Sequence, residues 1–172
     1  MDATALRLVQ APLKERYRAD PEAAQVPLSA SGDFRDDRIT CTVDGWGGPV
    51  RSGLHRATGG DGSDACSGDL LLEALVACAG VTFRSVATAY GVEVGEARVT
   101  AASTFDARGT LGLDRSVPVG LGPIDLVVEV DTTVDDETLD KLARATERYC
   151  VVGQSLAVPP TITVRRQPGS RP

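Results

Sequence analysis

Four cysteines, at positions 41, 66, 78 and 150, and one histidine, His55, carry the thiol and imidazole groups of this 172-residue chain, the types suited to nucleophilic or zinc chemistry. No two cysteines stand in C-x-x-C spacing. Cys41, His55 and Cys66 follow one another at intervals of 14 and 11 residues, which match no zinc-ligand pattern, so no metal is expected. That leaves thiol chemistry. Cys78 falls in the most apolar stretch, Leu70 to Val81. Burial there raises a thiol above its usual pKa of about 8.5, and only the thiolate is nucleophilic, so a reactive Cys78 needs a cation to oppose the shift. The plainer reading of a lone cysteine on an apolar helix is a small packing residue. Glu73 offers Cys78 no help: five residues earlier on a helix it projects about 140° away. Cys66, in a Gly-rich loop, is open to adventitious oxidation or to service as a third redox partner.

The elements that must position these groups follow from periodicity. Leu6, Val9, Leu13 and Tyr17 predict an amphipathic helix over 3–18 despite Pro12, joined by a short linker, so residues 1–25 read as an extension to a domain at 26–172. Strand-like segments follow at 26–34, 38–43 and 49–57, separated by Gly and Asp turns. Residues 58–68, rich in Gly, Ser and Asp, form a loop into a helix from Asp69 to Gly91's stop. Its first three turns are apolar nearly all round, as expected of a helix enclosed by sheets or by a second subunit. Two longer strand-like stretches, 92–107 and 122–134, flank a loop at 109–121. Thr133 with Asp136 predicts the start of a second helix whose face carries Leu139, Leu142, Ala143, Thr146 and, at its inner end, Cys150. A last strand at 159–166 and a polar tail end the chain.

Composition narrows the functional classes. With 42% hydrophobic residues the chain can close a core, and 24 acidic against 18 basic residues give a net charge of −6 with no basic run. Nucleic acid and anionic membrane surfaces are not expected partners. The N-terminus carries charges throughout and lacks the apolar centre of a secretion signal, and 70–81 is too short and too charged to span a bilayer, so the expected location is cytoplasmic.

SGDLLLEALVACAG at 67–80 and ERYCVVGQSL at 147–156 resemble the two cysteine signatures of the OsmC and organic hydroperoxide resistance superfamily, and FDARG at 105–109 resembles a stretch between them. The resemblance covers roughly residues 26–166. It implies an α+β fold with antiparallel sheets around a long central helix, completed in an intertwined homodimer with the active site near the subunit interface. An all-apolar helix points independently to a dimer, because one chain has little left to cover it. The resemblance further implies a thiol peroxidase for organic hydroperoxides: Cys78 peroxidatic, Cys150 resolving, an external dithiol such as a lipoyl protein as reductant, and no metal or nucleotide cofactor. By position Arg56 matches the arginine that sustains the thiolate, with Arg51 in reserve. The family's carboxylate is a Glu where this chain has Gly68, and Asp69 is the nearest substitute. Two alternatives stand beside the peroxidase: a protein that holds a small apolar or thiol-reactive ligand at the dimer interface without turnover, and a redox sensor.

Overall fold

The computed structural model describes residues 1–167; of the expected tail, 168–172 lie outside the described residues. In chain order the elements are α1 (Ala3–Ala19), a 3₁₀ turn (Pro21–Ala24), β1 (Ser31–Asp33), β2 (Thr40–Gly45), β3 (Gly48–Gly53), a second 3₁₀ turn (Arg56–Thr58) and β4 (Ala65–Cys66). Then come α2 (Ser67–Tyr90), β5 (Ala97–Ala102), α3 (Ala107–Thr110), β6 (Asp125–Val130), α4 (Asp136–Tyr149), α5 (Val151–Gln154) and β7 (Ile162–Arg166). They form two compact units, the first from Met1–Pro27, Leu75–Ala102 and Asp125–Pro172, the second from Leu28–Ala74 and Ser103–Ile124.

The first unit contains a three-stranded sheet in the order β5-β6-β7, with β5 antiparallel and β7 parallel to the central β6. Alternation along β6 buries Leu126, Val128 and Val130, the period-two pattern expected of a strand with one face on a core. Helix α4 packs against β7 and buries Leu139, Leu142, Ala145 and Thr146. Ala145 replaces Ala143 in the expected face. The helix starts two residues later than a Thr133 N-cap would place it: Asp135 is the N-cap, its short carboxylate accepting from the Thr138 N–H at 2.7 Å. Helix α2 buries Leu75, Ala79, Phe83, Val86 and Ala87, which recur at helical spacing. Gly80 faces β5, where a Cβ would meet Val99 at 3.5 Å, an ordinary van der Waals contact. Gly91, at φ +69°, supplies the expected stop.

The second unit holds a four-stranded sheet in the order β1-β2-β3-β4, an antiparallel meander ending in a parallel pairing of β3 with β4. Both sheets are therefore mixed, which corrects the all-antiparallel expectation. A parallel neighbour needs a connection that carries the chain back, and residues 54–64 do so for β4 while α4 and α5 do so for β7. The strand expected over 49–57 stops at Gly53, because the His55 ring accepts from the Ala57 N–H at 3.0 Å and opens a 3₁₀ turn there. Residues 107–110 of the expected strand and loop form one helical turn, capped by Asp106.

Helix α2 also corrects the reading of 70–81 as too short to cross a bilayer. It has 24 residues and, alone among the helices of the described residues, has the length and composition to do so. The five buried residues between Leu75 and Ala87 mark it as a core helix.

Candidate functional site

Cys78 and Cys150 come together inside the first unit, and the local structure explains how. Cys78 lies midway along α2, half-buried. Cys150 stands between α4 and α5: its backbone N–H caps α4 by donating to Thr146 at 2.9 Å, and its sulfur caps α5 by accepting from the Gly153 N–H at 3.4 Å. Extended backbone at this one residue turns the chain, so the amides after Cys150 point back toward the sulfurs. The Val152 N–H donates to the Cys78 sulfur at 3.5 Å. Gly153 is buried against Cys150 and Leu75, and a side chain there would sit 3.3 Å from the Cys150 sulfur. Both thiols are free.

The two sulfurs are driven in opposite directions. Burial pushes the Cys78 thiol up, but hydrogen bonds from the Val152 N–H, the Cys150 thiol, the Thr82 hydroxyl and the Val151 N–H outweigh it, and the group ends below its ordinary value. Burial pushes Cys150 up, the Gly153 amide pulls it back, and hydrogen bonding to Cys78 together with that sulfur's charge raises it further. With only 1% of Cys150 exposed, the buried thiol stays protonated and acts as donor to the more accessible Cys78. One thiol is thus prepared as a nucleophile beside a second thiol held as its neutral neighbour.

The charged residues expected at the site lie in the second unit. Arg56 occupies the 3₁₀ turn, not a strand, with its guanidinium stacked over Gly62 and without an ion-pair or hydrogen-bond partner among the described residues. Asp69 is exposed in the first turn of α2, and no ion pair joins it to Arg56 among the described residues. Arg51, the reserve, is held between Asp36 at 2.9 Å and Asp64 at 3.2 Å. Cys41 and Cys66 lie on different strands of the same sheet, in register with Ser52 and Gly53 respectively, and no cluster of metal-binding type occurs among the described residues.

Sequence reasoning missed Thr82, Val151, Val152 and Gly153. Thr82 was legible as the residue one helical turn after Cys78. Val-Val-Gly after Cys150 carries no side-chain chemistry; its contribution comes from backbone amides.

The profile of the family described as OsmC-like protein matches residues 60–165. No curated protein matches the chain. Among solved structures, an OsmC-like protein of unknown function from Vibrio cholerae is 12% identical, with TM-score 0.66 over 83% of this chain and 100% of its own. An organic hydroperoxide resistance protein from Elizabethkingia anophelis, solved with crystallant-derived thiocyanate bound, is 16% identical, with TM-score 0.66 over 83% of this chain and 98% of its own. A hypothetical protein from Aquifex aeolicus is 13% identical, with TM-score 0.64 over 83% of this chain and 98% of its own. At these identities the likeness is one of fold.

Proposed function

Because this chain belongs to the OsmC-like protein family, we propose that it is a thiol-dependent peroxidase that reduces organic hydroperoxides through Cys78 and Cys150. The observation that carries the reading is the pair of free thiols, hydrogen-bonded to one another and shifted apart, with Cys78 below and Cys150 above the ordinary thiol value. The Cys78 thiolate attacks the terminal oxygen of ROOH, the O–O bond breaks, and the alkoxide leaves as ROH after taking a proton. Cys78 is then a sulfenic acid. Cys150 gives up its proton as its sulfur attacks the sulfenic sulfur, the S–O bond breaks, and water departs, leaving a Cys78–Cys150 disulfide. An external dithiol, with a lipoyl-bearing protein the class assigned here, returns both thiols and is itself oxidised to a disulfide. The cytoplasm, where free thiols persist, is the compartment that suits this cycle.

In this reading Arg56 supplies the cation that sustains the thiolate, and Asp69 is the residue that would take the family glutamate's part in holding it. Among the described residues the Arg56 guanidinium has no ion-pair or hydrogen-bond partner, Asp69 included. A second copy completes the site: Val81 and Val151, three residues after Cys78 and one after Cys150, are 73% and 65% exposed in the single chain, an apolar surface suited to a dimer contact.

The missing carboxylate partner of Arg56 favours the second reading, a protein that binds a thiol-reactive ligand or senses oxidation without turnover. One experiment tests the peroxidase reading, and repeated consumption of peroxide in the presence of excess dithiol tells it from a sensor oxidised once. Stoichiometric cumene hydroperoxide should convert the reduced protein to a Cys78–Cys150 disulfide in non-reducing peptide maps; both thiols remaining free after excess peroxide at pH 8 would end the peroxidase reading.

A further inference from the structure

The C-terminal end of α4 is an interrupted helix. The Thr146 carbonyl keeps its helical donor, the Cys150 N–H at 2.9 Å. The next carbonyl, that of Glu147, would receive the Val151 N–H, but extended backbone at Cys150 (φ −74°, ψ 99°) breaks the helix before it. A side chain takes the missing donor's place: Gln154 Nε2 donates to the Glu147 carbonyl at 2.8 Å. Glu147 also reaches the other way, its Oε1 accepting from the Ile162 N–H at the start of β7 at 2.7 Å. Ile162 is buried, so this second bond ends in the core. Gln154, Glu147 and Ile162 thus form a strap from α5 through α4 to the sheet, all of it inside the first unit.

What the strap holds is the turn that touches both sulfurs. Helix α5 has four residues, too few to persist on its own hydrogen bonds. Yet it brings the Val152 N–H to 3.5 Å from the Cys78 sulfur and the Gly153 N–H to 3.4 Å from the Cys150 sulfur. Gln154 closes it twice, with its backbone N–H on the Cys150 carbonyl at 2.9 Å and with its side chain on Glu147. We propose that Gln154 is a positioning residue for the redox pair: by bridging the break between α4 and α5 it fixes the turn whose amides aim at the Cys78 and Cys150 sulfurs. Its part in turnover rests on the peroxidase reading. A glutamine suits the task because its amide supplies an N–H to a carbonyl without adding charge beside the thiols. The titratable group that acts on the Cys78 sulfur is the Cys150 thiol; on α4 the Glu147 carboxylate is engaged by Ile162, and Arg148 lies over the Tyr149 ring at 5.6 Å.

The test reads the amides and the thiol separately, in the full reduced chain, and needs no turnover. Gln154→Met keeps the length of the side chain and removes its donor, at an exposed position where the core is not disturbed. Hydrogen exchange at the Val152 and Gly153 amides, followed by NMR, should speed up by about twofold to tenfold, the range for one lost hydrogen bond, while exchange at Val128 on β6 stays at the parent rate. In the same variant the pH profile of Cys78 alkylation by iodoacetamide, read by mass mapping, should move to higher pH, because a sulfur that loses an amide donor holds its proton more firmly. Gln154→Lys, which returns an N–H donor at similar reach, should slow the exchange again. Unchanged exchange at Val152 and Gly153 in Gln154→Met overturns the proposal. So does an equal acceleration at Val128, which would mark a general loss of stability, and so does faster exchange with an unmoved alkylation profile, which would separate the strap from the thiol. Failure of peroxide to oxidise the wild type is a different result: it removes the peroxidase reading, while exchange and alkylation still decide whether Gln154 holds the amides on the sulfurs.

Discussion

The thiol site of the first unit and the arginine cluster of the second handle charge in opposite ways. Around Arg51, two carboxylates meet one guanidinium at 2.9 and 3.2 Å, and Asp64 keeps only 9% of its side chain exposed. Every charge there has an opposite within reach, so the cluster is locked and chemically quiet. Around Cys78, two backbone amides, a hydroxyl and a second thiol converge on one sulfur. Such donors favour a negative charge without cancelling it, and the ionised sulfur keeps its nucleophilicity. Cancellation makes a strut; solvation by fixed dipoles makes a reactive centre.

The largest effect expected from this contrast is an asymmetry between the two thiols. Cys78→Ser should abolish organic hydroperoxide consumption altogether, because an alcohol in that place has no accessible anion. Cys150→Ser should still allow one turnover and leave a sulfenic acid on Cys78 that dimedone traps. Equal loss in both variants, with no trapped adduct, would mean that the sulfurs do not differ in role. The asymmetry also has a pH sign. Because the Cys78 thiol lies below its ordinary value, its alkylation should begin at lower pH than that of a free peptide cysteine, and Cys150, pushed up, should label last.

A smaller effect is expected at the strut. Asp64→Ala removes one of the two carboxylates on Arg51, whose Nε is already buried without a partner. The expected cost is about 1–3 kcal/mol in urea unfolding, at the low side of values for buried pairs because Arg51 is still 35% exposed. The alkylation profile of Cys78 should not move. A shifted profile with unchanged stability would reverse the assignments of strut and centre.

This contrast also explains what the sequence made legible. Cys78 and Cys150 could be found because each sits in a motif with a distinct apolar context, and α2 and α4 because their periodicity is strong. The end of α2 was visible in Gly91. Arg51, Arg56 and Asp69 were singled out because charged side chains advertise themselves, yet Arg51 proved to be spent on Asp36 and Asp64. Val151 and Val152 were overlooked because what they offer is an N–H, identical in every residue but proline. The parallel pairings of β4 and β7 were also hidden. A two-residue strand such as Ala65–Cys66 has no period to detect, and its direction is decided by the path of residues 54–64 rather than by its own composition.

The smallest expected effect separates the two means of holding a thiolate within the thiol site itself. A full charge such as that of Arg56 acts through a Coulomb field, which salt screens with a Debye length of about 3 Å at 1 M; a hydrogen bond from Thr82 or Val152 is local and unscreened. Arg56→Ala should therefore move the Cys78 alkylation profile to higher pH at low ionic strength by a fraction of a pH unit, and the shift should vanish in 1 M sodium chloride. Thr82→Val, which removes a hydroxyl that lowers the Cys78 thiol, should move the same profile to higher pH and do so equally in 1 M salt. If Arg56→Ala leaves the profile unchanged at every salt concentration, Arg56 has no part in holding the thiolate and the neutral donors carry it alone. If instead high salt erases the Thr82→Val shift as well, the hydroxyl acts on the sulfur only through a field, and the distinction between fixed dipoles and cancelled charge does not apply at Cys78.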